Sequence, residues 1–123
     1  MDLWVSIASA KTTSRRALVT GASSGIGAAT VRSLTGSGWS VIAVARRADR
    51  LEQLRSDTGC DVVVADVTQD SDVDALRDYA ESTGGVSALV NNAGGAVGID
   101  WIDQADAGDW AQMFDVNVLG VQR

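Results

Sequence analysis

The eight residues TGASSGIG, at positions 20–27, most constrain how this chain can fold. They contain three glycines and directly follow the apolar residues ALV at 17–19. A glycine-rich turn between a buried strand and a helix presents free backbone N–H groups and the positive end of the helix dipole to an anion. Gly21 suits a tight exit from the strand, Gly25 the close approach of a phosphate group, and Gly27 the packing of the helix on the sheet. The stretch therefore predicts a strand, a phosphate-binding turn and a helix.

The spacing of the glycines distinguishes this turn from two common phosphate-binding motifs. The pattern Gly21-x-x-x-Gly25-x-Gly27 differs from the G-x-G-x-x-G of the standard dinucleotide turn. No G-K-[ST] follows it, which excludes an ATP- or GTP-hydrolysing P-loop. On these residues alone, a turn that only joins the strand to the helix remains the alternative.

Short apolar runs alternate with amphipathic stretches of helical length from residue 17 onward. The runs are apolar nearly throughout, which is typical of strands covered on both faces. The predicted strands are 17–20, Ser40–Ala45, 61–66 and 88–91. This order predicts an α/β protein with a doubly wound parallel sheet of four strands in the order 3-2-1-4, with about four helices.

The spacing of apolar residues predicts which face of the first and of the last helix is apolar. In the first, Ile26, Ala29 and Leu34 share a face and are expected to pack on the sheet. A last helix is predicted to begin near Asp109 and to continue to the end of the sequence, with its apolar face formed by Trp110, Met113, Phe114 and Val121.

Composition excludes several classes of function. Ten basic residues stand against sixteen acidic ones, and the only lysine is Lys11, which argues against a nucleic-acid surface. The chain has no histidine and one cysteine, Cys60, so no metal site is predicted. Cys60 adjoins an apolar run and is expected to be a buried, inert thiol.

Residues 1–15 are expected to form a disordered extension ahead of the domain. Asp2 stands where a secretory signal would carry positive charge, and the apolar stretch is too short to span a bilayer. A cytoplasmic protein that does not bind membranes is therefore expected.

Three further motifs follow the glycine turn: DV at 66–67, NNAG at 91–94 and DVNVLG at 115–120. In this order and at these separations, the four motifs resemble the short-chain dehydrogenase/reductase family over residues 16–123. The resemblance implies a Rossmann-like NAD(P)-binding domain, here truncated, from an enzyme that would be a homo-oligomer when complete. An incomplete domain leaves its fourth strand as an open edge, so the isolated chain is expected to be unstable, aggregated or dimerised.

The resemblance also implies which residues would hold the cofactor. The turn residues Gly21, Ser23, Ser24, Gly25, Ile26 and Gly27 would cradle the pyrophosphate. Asp66 and Val67 would hold the adenine ring, and Asn91, Ala93 and Gly94 would line the ribose side. Ligands are expected at the carboxyl ends of parallel strands on physical grounds as well. Asn91 and Asn92 can also act as a hydrogen-bond brace at the end of the sheet.

The end of the second strand bears on the choice between NAD and NADP. A carboxylate there would bind the 2′-hydroxyl of NAD, but this strand ends with Ala45, followed by Arg46 and Arg47. A guanidinium pairs with a phosphate through two charge-assisted hydrogen bonds, so Arg46 is the expected ligand of a 2′-phosphate and NADP is favoured over NAD. Whether Arg47 shares this role, or both arginines are solvated residues before a helix, stays open.

Hydride transfer also needs a group that moves a proton to or from the substrate oxygen. The family uses a Tyr-x-x-x-Lys pair together with a Ser and an Asn. The one tyrosine here, Tyr79, is followed four positions later by Thr83, and only Asn117 matches the catalytic set. By resemblance Asn117 would join a proton relay in a complete enzyme; in this chain it is expected to act as an internal brace.

We expect this chain to be the NADP(H)-binding part of an oxidoreductase that acts on a small alcohol or carbonyl compound. A dinucleotide-binding module without catalysis, or a fragment without function, is the alternative.

Overall fold

The computed structural model describes residues 15–123, in which parallel strands and helices alternate along the chain. The strands are β1 (Arg16–Thr20), β2 (Ser40–Ala45), β3 (Asp61–Val64) and β4 (Ala88–Val90). The main helices are α1 (Gly25–Gly36), α2 (Ala48–Thr58), α3 (Asp70–Ser82) and α4 (Ala107–Phe114). The predicted strands are all present, two of them slightly shorter than expected. The predicted N-terminal extension lies, apart from residue 15, outside the described residues.

The sheet has the order β3-β2-β1-β4, with every neighbouring pair parallel. The α/β class and the strand order 3-2-1-4 are therefore confirmed. In the observed register, Leu18 of β1 lies between Ile42 of β2 and Leu89 of β4. Because the chain winds outward in opposite directions from β1, the carboxyl edge between β1 and β4 is the switch point of the sheet, where such sheets bind ligands.

Two hydrophobic clusters cover the two faces of the sheet. On one face, α1 and α2 pack on β1 and β2 through buried residues that include Val19, Val31 and Leu51. On the other face, α3 packs through Leu76 and Ala80 against the strand residues Leu18, Ile42 and Val44. The thiol of Cys60 is free and buried in the first cluster, as expected from its apolar surroundings.

The apolar face predicted for α1 is wrong in its first half. Ile26 is 78% exposed, and α1 instead buries Gly27, Ala28 and Val31, with Leu34 partly buried. Because α1 begins at Gly25, Ile26 lies in its first turn at the end of the sheet, and the residues that reach the strands come one or two positions later.

The last helix begins slightly earlier than predicted and is not uniform. Asp106 caps α4 by accepting hydrogen bonds from the backbone N–H groups of Gly108 and Asp109, at 2.6 and 3.3 Å. After α4 the backbone widens into a π-helical segment, Asp115–Leu119, and then closes into a short helix α5 (Gly120–Gln122). The predicted apolar face is largely exposed: Trp110 and Phe114 are each 55% accessible. Within residues 15–123 no helix combines the length and apolar character needed to cross a membrane.

Candidate functional site

The glycine turn has the backbone geometry that only glycine adopts readily. Gly21 and Gly25 have φ values of 66° and 53°, in the left-handed region. A Cβ atom on Gly21 would lie 2.8 Å from the Cα of Ala93, and one on Gly27 would overlap the carbonyl oxygen of Gly21. A Cβ on Gly25, in contrast, would meet nothing within 4 Å. The absence of a side chain at Gly21 and Gly27 therefore allows the glycine turn to pack closely against Ala93 and against the start of α1. Gly25, in contrast, has open space beside it.

Hydrogen bonds join this turn to the end of β4. The hydroxyl of the buried Thr20 accepts from the backbone N–H groups of Asn92 and Ala93, at 3.1 and 2.9 Å. The side-chain amide of Asn92 donates to the carbonyl oxygens of Thr20 and Gly21, at 3.1 and 3.2 Å. Asn92 is thus the brace between the two strand ends. Thr20 was not singled out from the sequence, although a hydroxyl residue at the end of a buried strand is a signal that could have found it.

A cleft of about 180 Å³ lies across the carboxyl ends of the strands. The predicted cofactor residues that line it are Gly21, Ser23, Ser24, Arg46, Asp66, Val67, Ala93 and Gly94. The predicted residues Gly25, Ile26 and Gly27 do not line it; they form the first turn of α1 at the end of the glycine turn. Asn91 does not line this cleft; it borders a separate apolar groove that contains Leu18 and Leu89.

Arg47 lies against the glycine turn. Its Nη2 atom donates to the hydroxyl oxygens of Ser23 and Ser24, both at 2.9 Å, and its Nε atom donates to Ser23 at 3.2 Å. Ser24 directly precedes α1, and its hydroxyl makes no capping bond to that helix. Arg46 also lines the cleft. Two arginines therefore follow β2 at the cleft, and the guanidinium of Arg47 contacts two hydroxyls at the start of a helix, which is an arrangement suited to an anion.

Asp66 forms the opposite wall and is held in one orientation. Its Oδ1 atom accepts from the backbone N–H and the hydroxyl of Thr68, at 2.9 and 2.8 Å. The backbone hydrogen bond from Thr68, aided by the Thr68 hydroxyl and by the positive charges of Arg46 and Arg123, lowers the pKa of the Asp66 carboxyl below its ordinary value. Asp66 therefore offers an ionised acceptor to a ligand in the cleft.

Asn117 lies in the π-helical segment and ties it to the loop after β4. Its side-chain amide donates to the carbonyl oxygens of Gly95 and Met113, at 2.8 and 2.9 Å, and its Oδ1 atom accepts from the N–H of Gly95 at 3.0 Å. In an α-helix the Met113 carbonyl would bond to the backbone N–H of Asn117, so the side chain bonds a carbonyl at the point where the helix widens. Tyr79 lies on α3, partly buried against the second cluster.

The donors and acceptors of the cleft fit a dinucleotide. The first turn of α1 and the arginines suit phosphates, the Asp66 carboxylate suits an amine of a base, and the open space over Gly25 leaves room for close approach. Among residues 15–123, no group of three or more His, Cys, Asp or Glu side chains is placed to hold a metal ion.

The fold and the cleft together define a doubly wound α/β protein with a glycine turn at the switch point of its sheet. Residues 15–123 match the family model described as short chain dehydrogenase, and the chain belongs to that family. Family members bind NAD or NADP and act on small molecules.

Individual relatives give the same result. An uncharacterized oxidoreductase of Mycobacterium tuberculosis (strain ATCC 25618 / H37Rv) is 52% identical over 112 residues, which cover 91% of this chain and 43% of the relative. A probable NADP-dependent dehydrogenase of Haemophilus influenzae (strain ATCC 51907 / DSM 11121 / KW20 / Rd) is 40% identical over 108 residues, which cover 85% of this chain and 43% of the relative. The solved closed form of a serine dehydrogenase complexed with NADP+ superposes with a TM-score of 0.82 at 32% identity. The superposition covers 87% of this chain and 44% of the serine dehydrogenase chain. The chain thus spans somewhat less than half the length of the proteins that it matches.

Proposed function

We propose that residues 16–123 form the NADP(H)-binding part of an oxidoreductase that transfers a hydride between NADP(H) and a small alcohol or carbonyl compound. The observation that carries the proposal is the convergence of the glycine turn, the Asp66–Val67 wall and two arginines on one cleft. The nicotinamide ring supplies or accepts the hydride when the cofactor is bound. The residues of this chain bind and orient that cofactor.

Each part of the cofactor has a candidate partner in the cleft. The start of α1 and the hydroxyls of Ser23 and Ser24 would bind the pyrophosphate, and Asp66 would accept a hydrogen bond from the adenine amine. Ala93 and Gly94 line the cleft at the end of β4 and would contact the ribose. Asn91 stays a candidate ribose ligand, although it lines the apolar groove and not the cleft.

The preference for NADP over NAD rests on Arg46 and Arg47. No carboxylate stands at the end of β2 to bind a 2′-hydroxyl; the strand ends with Ala45 and the two arginines follow. The contacts of Arg47 with Ser23 and Ser24 place a guanidinium at the edge of the phosphate turn, so a 2′-phosphate would bind between Arg46 and Arg47. The relative from Haemophilus influenzae, described as probably NADP-dependent, agrees with this choice.

Cofactor titration of single variants tests the proposal. Arg46→Ala and Arg47→Ala should each weaken NADPH binding about 10- to 100-fold, because each removes charge-assisted hydrogen bonds to the phosphate. Arg46→Ala should change NADH affinity by no more than about twofold, since NADH lacks the 2′-phosphate. Arg47→Ala should lower NADH affinity as well, but less than NADPH affinity, because Arg47 also holds the Ser23 and Ser24 hydroxyls. Arg50→Ala, an exposed site on α2, is the matched control and should leave both affinities unchanged. Equal losses for NADPH and NADH would overturn the NADP preference, and no binding of either would overturn the cofactor site itself.

A binding module without catalysis is the second candidate. Tyr79, the only tyrosine, lies on α3 and packs against the second hydrophobic cluster. Thr83 stands where the family's lysine would follow, so the 123 residues contain no Tyr-x-x-x-Lys pair. Consumption of NADPH with a panel of small ketones and aldehydes separates the two candidates. Tight NADPH binding without turnover favours the module, and turnover favours the oxidoreductase.

We also propose that the protein acts in the cytoplasm as a homo-oligomer. The half-exposed Trp110, Phe114 and Val121 on α4 and α5 offer an apolar surface for a second copy. Light scattering should give a mass above that of a monomer; a monomer at micromolar concentration would overturn the oligomer.

A further inference from the structure

Arg123 joins three separate segments of the chain. Its Nε atom donates to Asp70 Oδ1 at 2.6 Å, and its Nη1 atom donates to Asp115 Oδ1 at 2.9 Å. The same Nη1 atom lies 3.4 Å from the carbonyl oxygen of Val67. The side chain is only 18% exposed. One guanidinium therefore contacts the first turn of α3, the start of the π-helical segment and the turn after β3.

The segments that Arg123 joins also form one wall of the cleft. Val67 lines the cleft, and so does Val116, which directly follows Asp115. A Cβ atom on Gly120 would lie 3.0 Å from Cγ2 of Val67, so the backbone of α5 packs directly on the Val67 turn. The position of this wall thus depends on the seating of α5 against the turn, on the side away from the cleft.

The inner part of the same turn is held separately. The backbone N–H of Asp66 donates to Asp72 Oδ2 at 2.9 Å, and the Asp66 carboxylate is held by Thr68. Asp72 and Thr68 both belong to the Asp66–α3 region, so they fix the turn relative to α3 alone. Within residues 15–123, the hydrogen bonds that connect this turn to the π-helical segment all come from Arg123, and Gly120 adds its close packing on Val67.

We infer that Arg123 is a positioning residue for the adenosine half of the cofactor, acting through Val67 and Val116 and not by contact with the ligand. The inference rests on the proposed function, because it assigns the Asp66–Val67 wall to adenine. Without the guanidinium, the carboxylates of Asp70 and Asp115 lose the positive charge between them and repel each other. The π-helical segment then moves away from the turn, and the adenine wall loses its fixed position.

The inference predicts an effect on one half of the cofactor only. The two probes are adenosine 2′,5′-bisphosphate and reduced nicotinamide mononucleotide, each followed by NMR titration of the protein's backbone amides. Arg123→Gln should weaken binding of the adenosine probe about three- to tenfold, the size expected for the loss of two ion pairs that hold a ligand wall. Binding of the nicotinamide probe should change by no more than about twofold, because Arg123 meets the π-helical segment at its first residue, Asp115, whereas Asn117 holds the loop after β4 through its own hydrogen bonds to Gly95. Arg123→Lys keeps the charge but cannot bridge both carboxylates through a planar fork, so it should fall between wild type and Arg123→Gln.

Arg77→Gln is the matched control. Arg77 is also ion-paired with two carboxylates, Asp74 and Asp78, but all three residues lie on α3. This variant should leave both probe affinities at the wild-type value. Thermal unfolding of each variant is recorded in parallel, and Arg123→Lys carries the test where Arg123→Gln does not fold.

The outcomes separate this inference from the proposed function. An unchanged affinity of Arg123→Gln for the adenosine probe overturns the inference and leaves the cofactor site standing. Equal losses for the two probes also overturn it, since they indicate a general loss of structure. If the wild-type protein binds neither probe, the proposed function fails and the inference fails with it.

Discussion

Ile42, Leu18 and Leu89 form one row across three neighbouring strands, yet they lie in different surroundings. Ile42 on β2 is 0% exposed, Leu18 on β1 is 6% exposed and Leu89 on β4 is 58% exposed. The side of the molecule around β2 is closed by side-chain packing from both faces of the sheet. The side around β4 and α4 keeps large apolar residues accessible. The same kind of residue in the same row therefore contributes differently to stability on the two sides.

The side around β4 is held chiefly by polar contacts. Thr20 and Asn92 tie the end of β4 to β1, Asn117 ties α4 to the loop, and Arg123 ties α5 to the turn after β3. Packing gives the β2 side a rigid base, and directional hydrogen bonds position the segments on the β4 side. Polar bonds of this kind each contribute about 0.5–1.5 kcal/mol, much less than a buried aliphatic side chain.

The largest expected effect compares two truncations within the row. Ile42→Ala should lower the free energy of unfolding by about 2–5 kcal/mol, because it leaves a cavity between two packed faces. Leu89→Ala, the matched truncation at the exposed end of the row, should cost less than about 1 kcal/mol. Urea denaturation measures both. Similar losses at the two sites would show that Leu89 is covered in solution, and the contrast between the two sides would be lost.

A smaller effect is expected where polar bonds replace packing. Asn117→Ala removes three hydrogen bonds. It should lower the free energy of global unfolding by about 1–3 kcal/mol. The sharper expectation is local: amide hydrogen exchange should become faster in the loop after β4 and in the π-helical segment, with β1 and β2 unchanged. Gln112→Ala, on the exposed surface of the same helix, should leave exchange as in the wild type. A uniform rise in exchange over the sheet would contradict a separate role for the two sides.

The smallest effect concerns Asp66 and depends on pH. Because hydrogen bonds from Thr68 hold the folded-state pKa of this carboxyl below its unfolded value, the carboxylate stabilises the fold above about pH 4, and this contribution disappears as the pH falls through the folded-state pKa. Asp66→Asn should therefore melt at a lower temperature than the wild type, by a difference that is constant between about pH 5 and 8 and shrinks below about pH 4. The exposed Asp103→Asn serves as the control for the loss of a surface carboxylate and should melt close to the wild-type temperature. A difference for Asp66→Asn that grows in acid would mean that the carboxyl is destabilised in the fold.

Several features were predictable from the sequence because they depend on local chemistry. The glycine turn requires positive φ angles at Gly21 and Gly25, which glycine adopts readily. Runs that are apolar throughout predict strands of a sheet covered on both faces. Other features escaped prediction because they depend on orientation. Ile26 counted as a core position by periodicity alone, but the point where α1 begins places it outside the sheet. The role of Arg47 stayed open because only the folded chain brings it to Ser23 and Ser24, more than twenty positions earlier.

By itself, the sequence determined the alternation of strands and helices, the order of the sheet and the turn that can receive a phosphate, since spacing and residue type suffice for each. Only the tertiary structure decided which side chains meet at the carboxyl edge. Asn92 lies inside the brace while Asn91 lines an apolar groove, Arg47 reaches the glycine turn, and Arg123 contacts the Val67 turn that forms one wall of the cleft. Such contacts join residues far apart in the chain, and their geometry follows from how helices pack on the sheet, which no local pattern of residues encodes.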